Sequence, residues 1–321
     1  MRGALARGRP LKGIADMRKE FCVDHLKVRC YPTREEMGAA GAEYAAALIQ
    51  QVIEEKGEAN LIFASSPSQM DTLAALSKKD VDWSRVNAFH MDEYIGIGLE
   101  HSASFANYLR ENFFRHLRLK NIHYLNGMAD GPEECRRYSA LLQEHPVDVT
   151  FAGIGENGHM AFNDPYIADF FDPLLVKINP SLDAVCRAQQ VRDGWFASLD
   201  EVPGQAITLT FPALLRAPHL IVTAPSETKK EIIQKVLEGP ICLEVPGTAA
   251  RTKTRSCTST TPPRRCCPIS IKERPHGHNH SKRGCSDAFP QGFRFRCRGG
   301  LLHRPGSPGG KRPNPRRRSS D

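Results

Sequence analysis

A glycine-rich segment in the middle of the chain combines a histidine with carboxylates and amides, the side chains that enzymes use for proton transfer. The segment FAGIGENGHMAFNDP, residues 151–165, begins within the apolar run VDVTFAG. Its glycines permit the tight turns or close backbone approach that phosphate-binding and sugar-binding loops require. His159 lies near Asn157 and Asp164 in this segment, and an imidazole titrates near neutral pH. We therefore predict that His159 is an acid/base group, with a structural histidine as the alternative.

The same segment matches the dinucleotide-binding pattern GxGxxG through Gly153, Gly155 and Gly158. Three features argue against a dinucleotide site. The motif lies in mid-chain, the bulky residues HMAFND follow it, and no acidic residue stands at the end of a following strand. The residues therefore predict no dinucleotide cofactor.

A second candidate segment, NAFHMDEYIGIG, places acidic side chains just beyond the end of an apolar strand. A carboxylate in such a place can have its pKa raised into the range useful for a general base. Asp92 is the candidate base, with His90, Glu93 and Tyr94 beside it. The alternative role for Asp92 is that of a helix cap or turn former.

Two further segments predict an anion site. FASSPSQ, which includes Ser65, Ser66 and Gln69, offers hydroxyl and amide groups between a strand and a helix N-terminus. TAPSETKK places Lys229 in the first turn of a later helix, where its charge opposes the helix dipole, so an anionic partner would explain it. The alternatives are an ordinary capped turn and a solvated lysine.

Strand-like and helix-like stretches alternate along the first 250 residues and must position these segments. One long helix is predicted after Thr33 and Glu36, which have capping-box spacing. Short apolar strands such as ANLIFAS, VNAFH, VDVTFAG and HLIVTAP alternate with further helices. This pattern predicts an α/β fold with a mostly parallel sheet covered on both faces. Ligands of such folds bind where strand carboxyl ends meet helix N-termini, which is where the candidate segments lie.

The charge of the chain is unevenly distributed. Residues 251–321 hold 18 Lys and Arg against 3 Asp and Glu, whereas residues 1–250 hold 26 basic and 33 acidic residues. The formal net charge of +8 therefore comes from the C-terminal segment, and the remainder is acidic with a net charge of −7. A basic composition thus gives no indication that the globular part binds nucleic acid, and we predict no nucleic-acid partner.

Residues 252–321 show neither helical nor strand periodicity and are rich in Arg, Pro, Ser, Gly and Cys. They could be a disordered basic extension, or a metal or nucleic-acid arm that uses Cys266, Cys267, His276, His278, His280 and Cys285. We prefer the hypothesis that this segment is translated out of frame. With suitable codons, a shifted frame encodes Pro-Glu-Leu-His from Thr254–Thr258 and Ala-Ala-Ala-Thr-Leu-Leu from Thr261–Cys267.

Other features limit the class of protein. No run of about 18 apolar residues occurs, and the N-terminal residues lack the apolar stretch of a signal peptide. The cysteines of residues 1–250 form no CxxC pair. We therefore predict a cytoplasmic protein with reduced thiols, no membrane partner and no metal.

Four stretches resemble, in this order, the glucosamine-6-phosphate deaminase family, which is related to the 6-phosphogluconolactonases: NAFHMDEYIGI, FAGIGENGHMAFNDP, QAITLTFPALL and SETKKEIIQKVLEGP. The resemblance implies a three-layer αβα Rossmann-like fold, a homo-oligomer, and no redox cofactor or catalytic metal. It also implies that a sugar phosphate, glucosamine 6-phosphate, reacts with water to give fructose 6-phosphate and ammonia in amino sugar catabolism. The chain would then comprise an N-terminal extension at 1–24, the sugar-phosphate domain at 25–251 and the tail at 252–321.

The resemblance also implies roles for individual residues. Asp92 matches the base that moves a proton from C2 to C1 through an enolamine, and His159 matches the residue that opens the sugar ring. Asn157 and Asp164 match positions that orient this histidine, where better-known members have Asp and Glu. The phosphate site is matched by Ser65, Ser66, Gln69 and Lys229.

Two departures from the family pattern leave the sugar phosphate open. Asn157 can hold His159 by a hydrogen bond but stabilises an imidazolium less than a carboxylate does. The arginine that helps to bind phosphate has no clean match, the nearest being Arg187 and Arg192. A 6-phosphogluconolactonase-like hydrolase would share the fold and His159, and a non-catalytic sugar-phosphate sensor would keep the phosphate residues. Neither alternative needs Asp92, which favours the deaminase.

Overall fold

The computed structural model describes residues 19–225, 227–252 and 268–272 of the chain. The strands are β1 (Lys19–Val23), β2 (Leu26–Tyr31), β3 (Ala59–Phe63), β4 (Val86–His90), β5 (Asp92–Tyr94), β6 (Asn121–His123), β7 (Val149–Ala152), β8 (Val176–Asn179), β9 (Ala206–Leu209), β10 (His219–Ala224) and β11 (Pro268–Lys272). The α-helices are α1 (Arg34–Lys56), α2 (Met70–Leu76), α3 (Phe105–Asn112), α4 (Gly131–Glu144), α5 (Ala184–Arg192), α6 (Phe211–Leu215) and α7 (Lys230–Glu238). All of these elements belong to one compact unit, and residues 278–321 lie outside the described residues.

Eight of the strands in the described residues form the central sheet, in the order β1-β2-β11-β10-β7-β3-β4-β6. Every neighbouring pair in it is parallel except β1 and β2, which form an antiparallel hairpin. The predicted α/β fold with a mostly parallel sheet is therefore confirmed. Because parallel strands are joined by crossovers, their carboxyl ends meet at one edge of the sheet.

Helices cover both faces of the sheet, which explains why the central strands are apolar throughout rather than alternating. In β3, Leu61 and Phe63 pack into one core with α1, α2 and α3, whereas Ile62 points into the other core, which is formed with α4, α6 and α7. The ring of Phe63 stacks on that of Phe151 in the neighbouring β7, with 5.0 Å between centroids. This packing fixes the ends of β3 and β7 relative to each other.

Helix α1 begins where the capping-box spacing of Thr33 and Glu36 predicts. The Thr33 side chain accepts a hydrogen bond from the backbone N–H of Glu36 at 3.1 Å, which is the first half of a capping box. The helix stops at Gly57, whose φ of 84° is the left-handed conformation common at helix ends. The cap therefore sets the point from which the chain enters β3.

A second, three-stranded sheet has the order β5-β9-β8 and is antiparallel. It holds a separate apolar cluster that includes Tyr94, Phe105 and Phe162. The sequence analysis did not predict that the stretch QAITLTFPALL contributes a strand outside the central sheet. The second sheet matters for function because β5 carries Asp92.

The N-terminal boundary predicted at residue 24 is too late, because β1 pairs with β2 along its whole length. Asp24 and His25 form the turn between the two strands, and Asp24 has a φ of 51°. The strand was missed because it lies at the edge of the sheet, where only Phe21 and Val23 pack against the core. The apolar alternation of such a short edge strand is weak.

The prediction of no strand after Arg251 is wrong for Pro268–Lys272. This segment is β11, whose backbone pairs in parallel with β2 on one side and β10 on the other. A strand in this place satisfies backbone groups of two neighbours that would otherwise lack partners. The strand was missed because it is only five residues long, which is too short for a clear apolar alternation. The other interpretations of the tail, the metal arm at Cys266–Cys285 and the shifted frame, concern segments outside the described residues.

Candidate active site

A cleft opens beyond the carboxyl ends of β3, β4 and β7, with α5 and the start of α7 at its sides. Five of the predicted residues line it: Ser65, Ser66, Asp92, His159 and Lys229. The other three, Gln69, Asn157 and Asp164, do not line the cleft and contact the loops that do. The topology therefore brings together segments that are far apart in the chain, as the predicted parallel sheet requires.

One end of the cleft has the groups needed to bind an anion. Lys229 is 7 % exposed, and among the described residues its ammonium forms no hydrogen bond or ion pair. Burial lowers the pKa of Lys229, while the nearby Asp193 and Glu156 act in the opposite direction. The buried Ser65 hydroxyl likewise has no hydrogen-bond partner within the described ranges. A buried cation and an unsatisfied hydroxyl that line the same cleft are costly unless ligand groups such as phosphate oxygens pair with them.

Gln69 supports this end of the cleft from behind. Its side-chain Nε2 donates to the Ala152 carbonyl at 3.0 Å, which ties the serine loop to the end of β7. Ser66 and Ser68 share a hydrogen bond of 2.6 Å between their hydroxyls in the same loop. Gln69 therefore fixes the serine loop from behind and does not line the cleft.

Asp92 is a buried carboxylate that faces the cleft. It is 6 % exposed, and no described side chain or N–H group donates a hydrogen bond to it. Burial raises the pKa of Asp92 well above its ordinary value, and the adjacent Glu93 raises it further. A carboxylate with a raised pKa is a stronger base, as the sequence predicted for this position.

The capping role that was the alternative for Asp92 belongs to its neighbour Glu93. The Glu93 carboxylate accepts hydrogen bonds from the Ser104 hydroxyl at 2.7 Å and from the backbone N–H of Ala106 at 3.0 Å. It therefore satisfies the N-terminus of α3 and fixes β5 against that helix. Asp92, one residue earlier and on the opposite face of the strand, remains free for chemistry.

Asn157 holds His159 in one tautomer. The imidazole Nδ1 lies 2.6 Å from Asn157 Oδ1, and the same oxygen accepts the His159 backbone N–H at 3.0 Å. Asn157 Nδ2 donates to Asp164 Oδ1 at 2.9 Å, which fixes the amide with its oxygen toward the imidazole. An amide oxygen only accepts, so Nδ1 carries the proton in the neutral ring. Nε2 is then the unprotonated nitrogen available to a ligand.

Asp164 is fully buried and is held by several N–H donors. It accepts from Asn157 Nδ2, from Asn179 Nδ2 at 2.9 Å and from the backbone N–H of Asp183 at 3.1 Å. Its Oδ1 lies 3.7 Å from His159 Nδ1, so it acts on the imidazole both directly through its charge and through Asn157. Burial lowers the pKa of His159, and Asp164 opposes this shift.

The glycines of the central loop serve the histidine itself. A Cβ atom at Gly155 would overlap the His159 ring, so the imidazole packs directly on this stretch of backbone. Gly158 has a φ of 89°, the left-handed conformation, immediately before the histidine. The predicted close backbone approach therefore exists, but its partner is an internal side chain.

Several cleft residues on and after α5 were not predicted. They are Gln189, Gln190, Asp193 and Trp195. Tyr94 donates from its hydroxyl to Gln190 Oε1 at 2.9 Å, which fixes that amide. The sequence QQVRDGW does contain clustered polar residues, but its place over the cleft depends on how α5 packs.

Neither candidate arginine lines the cleft. Arg192 pairs with Glu156, and Arg187 donates to the carbonyls of Leu199 and Val202. Within the described part of the chain, the basic group at the anion end is Lys229, with Asp193 near it.

His159, Asp164 and Cys186 bring potential metal-ligating atoms within 4.8 Å of one another. Their chemistry fits a metal poorly, because both oxygens of Asp164 accept N–H hydrogen bonds and His159 Nδ1 is bonded to Asn157. Burial raises the pKa of the Cys186 thiol well above its ordinary value, whereas the metal-binding form is the thiolate. The cluster is suited to orienting His159.

The chain is similar in sequence to known proteins over much of its length. Residues 32–162 match the family described as glucosamine-6-phosphate isomerases/6-phosphogluconolactonase. A glucosamine-6-phosphate deaminase of Lysinibacillus sphaericus is 36% identical over 179 residues, which are 55% of this chain and 77% of the relative. One from Bacillus cereus (strain B4264) is 32% identical over 224 residues, 70% of this chain and 82% of the relative.

Solved structures give the same relationship. A structure described as a monomeric glucosamine-6-phosphate deaminase superposes with a TM-score of 0.65 at 25% identity, over 76% of this chain and 96% of the other. A 6-phosphogluconolactonase from Shewanella baltica OS155 has the same fold, with a TM-score of 0.60 at 19% identity over 80% of this chain and 98% of the other. No described helix is both long and apolar enough to cross a membrane.

Proposed function

The chain belongs to the glucosamine-6-phosphate isomerase/6-phosphogluconolactonase family, and we propose that it is a glucosamine-6-phosphate deaminase. The reaction converts glucosamine 6-phosphate and water to fructose 6-phosphate and ammonia, a step of amino sugar catabolism. The observation that carries this proposal is that the buried base Asp92 lines the same cleft as His159 and Lys229.

Ring opening is assigned to His159. Its Nδ1–H is held by Asn157, so Nε2 is the atom that takes the proton from the sugar O1 hydroxyl and delivers it to the ring oxygen O5. Burial lowers the pKa of His159, which favours a neutral imidazole with a free lone pair at the start of the reaction. The C1–O5 bond breaks as the aldehyde at C1 forms.

Isomerisation is assigned to Asp92. Its carboxylate removes the proton from C2 of the open-chain sugar while O1 takes a proton from the ammonium group at C2, which gives an enolamine. The carboxylic acid then returns the C2 proton to C1. The raised pKa of Asp92 brings its basicity closer to that of a useful carbon base. The product is an imine at C2. Water adds to this carbon, the C–N bond breaks, ammonia leaves and the C2 ketone of fructose 6-phosphate remains.

Substrate binding is assigned to the anion end of the cleft. We propose that the phosphate accepts hydrogen bonds from Ser65, Ser66 and the Lys229 ammonium, which supplies partners to groups that lack them otherwise. Gln69 positions this loop through Ala152. Binding the phosphate at a fixed distance from His159 and Asp92 would orient C1 and C2 for proton transfer.

The test of this proposal is to measure the release of ammonia and fructose 6-phosphate from glucosamine 6-phosphate by the full chain, with circular dichroism to verify that the protein is folded. Equimolar release supports the deaminase. A parallel assay with 6-phosphogluconolactone tests the lactonase alternative, because that hydrolysis needs no proton transfer from carbon.

The variant Asp92→Asn separates the candidates. We expect it to abolish ammonia release while the affinity for glucosamine 6-phosphate changes little, and the exposed Asp200→Asn serves as the matched control. Lactone hydrolysis that persists without any deaminase activity in the parent protein would reject the proposal. Binding without any turnover would indicate the sensor. The predicted homo-oligomer stays a prediction, which sedimentation of the full chain can test.

A further inference from the structure

The two faces of the Asn157 amide meet different partners. Its oxygen faces His159, and its Nδ2 donates to two carboxylate oxygens, Asp164 Oδ1 at 2.9 Å and Asp183 Oδ1 at 3.1 Å. A carboxylate can only accept, so both acidic groups hold the amide in the same orientation. Asp183 therefore lies one hydrogen-bonded group away from the imidazole, although it is 24 positions after His159 in the chain.

Asp183 also fixes helix α5. Its side chain accepts from the backbone N–H of Val185 at 2.9 Å and of Cys186 at 3.3 Å, as an N-cap does. Its own backbone N–H donates to Asp164 Oδ2 at 3.1 Å. This one residue connects the loop that carries His159 to the helix that carries Gln189 and Gln190 into the cleft.

We propose that Asp183 is a positioning residue for His159: through the Asn157 amide it supplies the negative charge that position 157 itself lacks, and it keeps the amide oxygen on Nδ1. Asn157 and Asp183 then form an amide–carboxylate pair whose charge is placed one step further from the imidazole than a carboxylate at position 157 would place it. The catalytic consequence rests on the proposed function, whereas the contacts and their energetics do not.

The effect of the Asp183 charge on the His159 imidazole can be separated from the effects of the other charged groups by one substitution. The charged groups that face the imidazole are Asp164, Asp183, Asp193 and Lys229. In Asp183→Asn the new amide oxygen can still accept from Asn157 Nδ2 and cap α5, because Asn and Asp are equally good N-caps. This variant therefore removes the charge and keeps the geometry.

The first test is an ¹⁵N nuclear magnetic resonance titration of the His159 ring in the full chain without substrate, assigned by the signal lost in His159→Gln. We expect the parent ring to be protonated at Nδ1 in its neutral form, and Asp183→Asn to lower the titration midpoint because a negative charge has been removed. An unchanged midpoint, or a neutral ring protonated at Nε2 in the parent, would overturn the proposal.

The second test moves the charge from one residue to the other. Asn157→Asp alone places a third carboxylate against the buried Asp164 and the half-buried Asp183 at the two short contacts now made by Nδ2, and should lower the melting temperature by roughly 5 to 15 °C. The double variant N157D/D183N provides an amide donor for the new carboxylate, and should recover a large part of that loss.

Asp130→Asn is the matched control, because Asp130 caps α4 through the same kind of bond, 3.0 Å to the Glu133 N–H, and has no contact with Asn157. N157D/D130N should be no more stable than N157D. Purely additive effects of N157D and D183N would reject the paired role. Both tests are made without substrate, so their results do not depend on deaminase activity. A parent protein that releases no ammonia would reject the proposed function, but it would not change the outcome of these two tests.

Discussion

A Cβ atom added to Gly155 would lie 2.0 Å from Cε1 of His159 and 2.3 Å from Nδ1 and Nε2. The imidazole thus lies flat against a backbone that has no side chain at that position. The contact is reinforced by a hydrogen bond of 2.9 Å from the Gly155 N–H to the His159 carbonyl. One loop therefore holds its histidine from two sides, with Gly155 beneath the ring and Asn157 at its edge.

The first prediction concerns this contact. Gly155→Ala should force the imidazole to move by at least several tenths of an ångström, since real Cβ atoms do not approach other atoms so closely. Because a displacement of about 1 Å in a catalytic group can cost about 100-fold in rate, we expect kcat for ammonia release to fall by roughly that factor. Steady-state kinetics measure this.

Gly204→Ala is the control for that substitution, since a Cβ atom there meets no other atom within 4 Å. It should leave kcat unchanged. A Gly155→Ala protein with parental kcat would show that the position of the imidazole is not critical, and would remove His159 from the ring-opening role.

The sequence was sufficient to predict which segments meet, and the reason is topological. Ser65, Asp92 and His159 each follow an apolar strand, and the strands are parallel, so their ends share one edge of the sheet. The chemistry of each residue type then indicated its role. The resemblance to the deaminase family predicted a particular substrate, glucosamine 6-phosphate, whereas the spacing of the residues predicted only an anion site and acid/base groups.

The sequence did not predict the side of the cleft formed by α5. Gln190 and Asp193 lie more than 90 residues from Asp92 along the chain and reach the cleft only because α5 packs beside the second sheet. The hydrogen bond between Asp183 and Asn157 was missed for the same reason. An Asp at a helix N-cap has the same sequence pattern whether or not its side chain also makes a tertiary contact. Tertiary packing determines both the α5 side of the cleft and the Asp183–Asn157 hydrogen bond, and no local sequence pattern indicates that packing.

A second prediction concerns stability. Asp92 is buried with no described donor to its carboxylate, so its charge opposes folding at neutral pH. Asp92→Asn should therefore raise the free energy of unfolding by about 1 to 3 kcal/mol at neutral pH while it abolishes turnover. Chemical denaturation of both proteins measures the difference.

The direction in which the pKa of Asp92 is shifted determines how the stability gain of Asp92→Asn depends on pH. The pKa of Asp92 is higher in the folded than in the unfolded state, so the folded state binds more protons, and the parent loses stability as pH rises from about 4 through the raised pKa. The advantage of Asp92→Asn should accordingly shrink toward zero near pH 4. An advantage that grows on acidification would contradict the raised pKa.

A third prediction concerns the pH dependence of catalysis. The proposed mechanism needs Asp92 ionised and His159 neutral, so kcat/KM should fall on the acid side. Because the pKa of Asp92 is raised, the decline attributable to it should begin well above the ordinary carboxyl range of about 4. Rates measured across pH at constant ionic strength, on protein that remains folded, test this. A rate independent of pH down to that range would exclude Asp92 as the base.

A fourth prediction concerns the anion end of the cleft. Lys229→Gln removes the buried ammonium, so KM for glucosamine 6-phosphate should rise by about 10-fold to 100-fold, with a smaller change in kcat. Lys235→Gln, an exposed lysine on the same helix, is the control and should leave KM unchanged. Inhibition by inorganic phosphate provides an independent measurement, because it should weaken in Lys229→Gln by a similar factor. If KM and phosphate inhibition both match the parent, Lys229 does not bind the phosphate, and the unsatisfied ammonium must serve another part of the substrate.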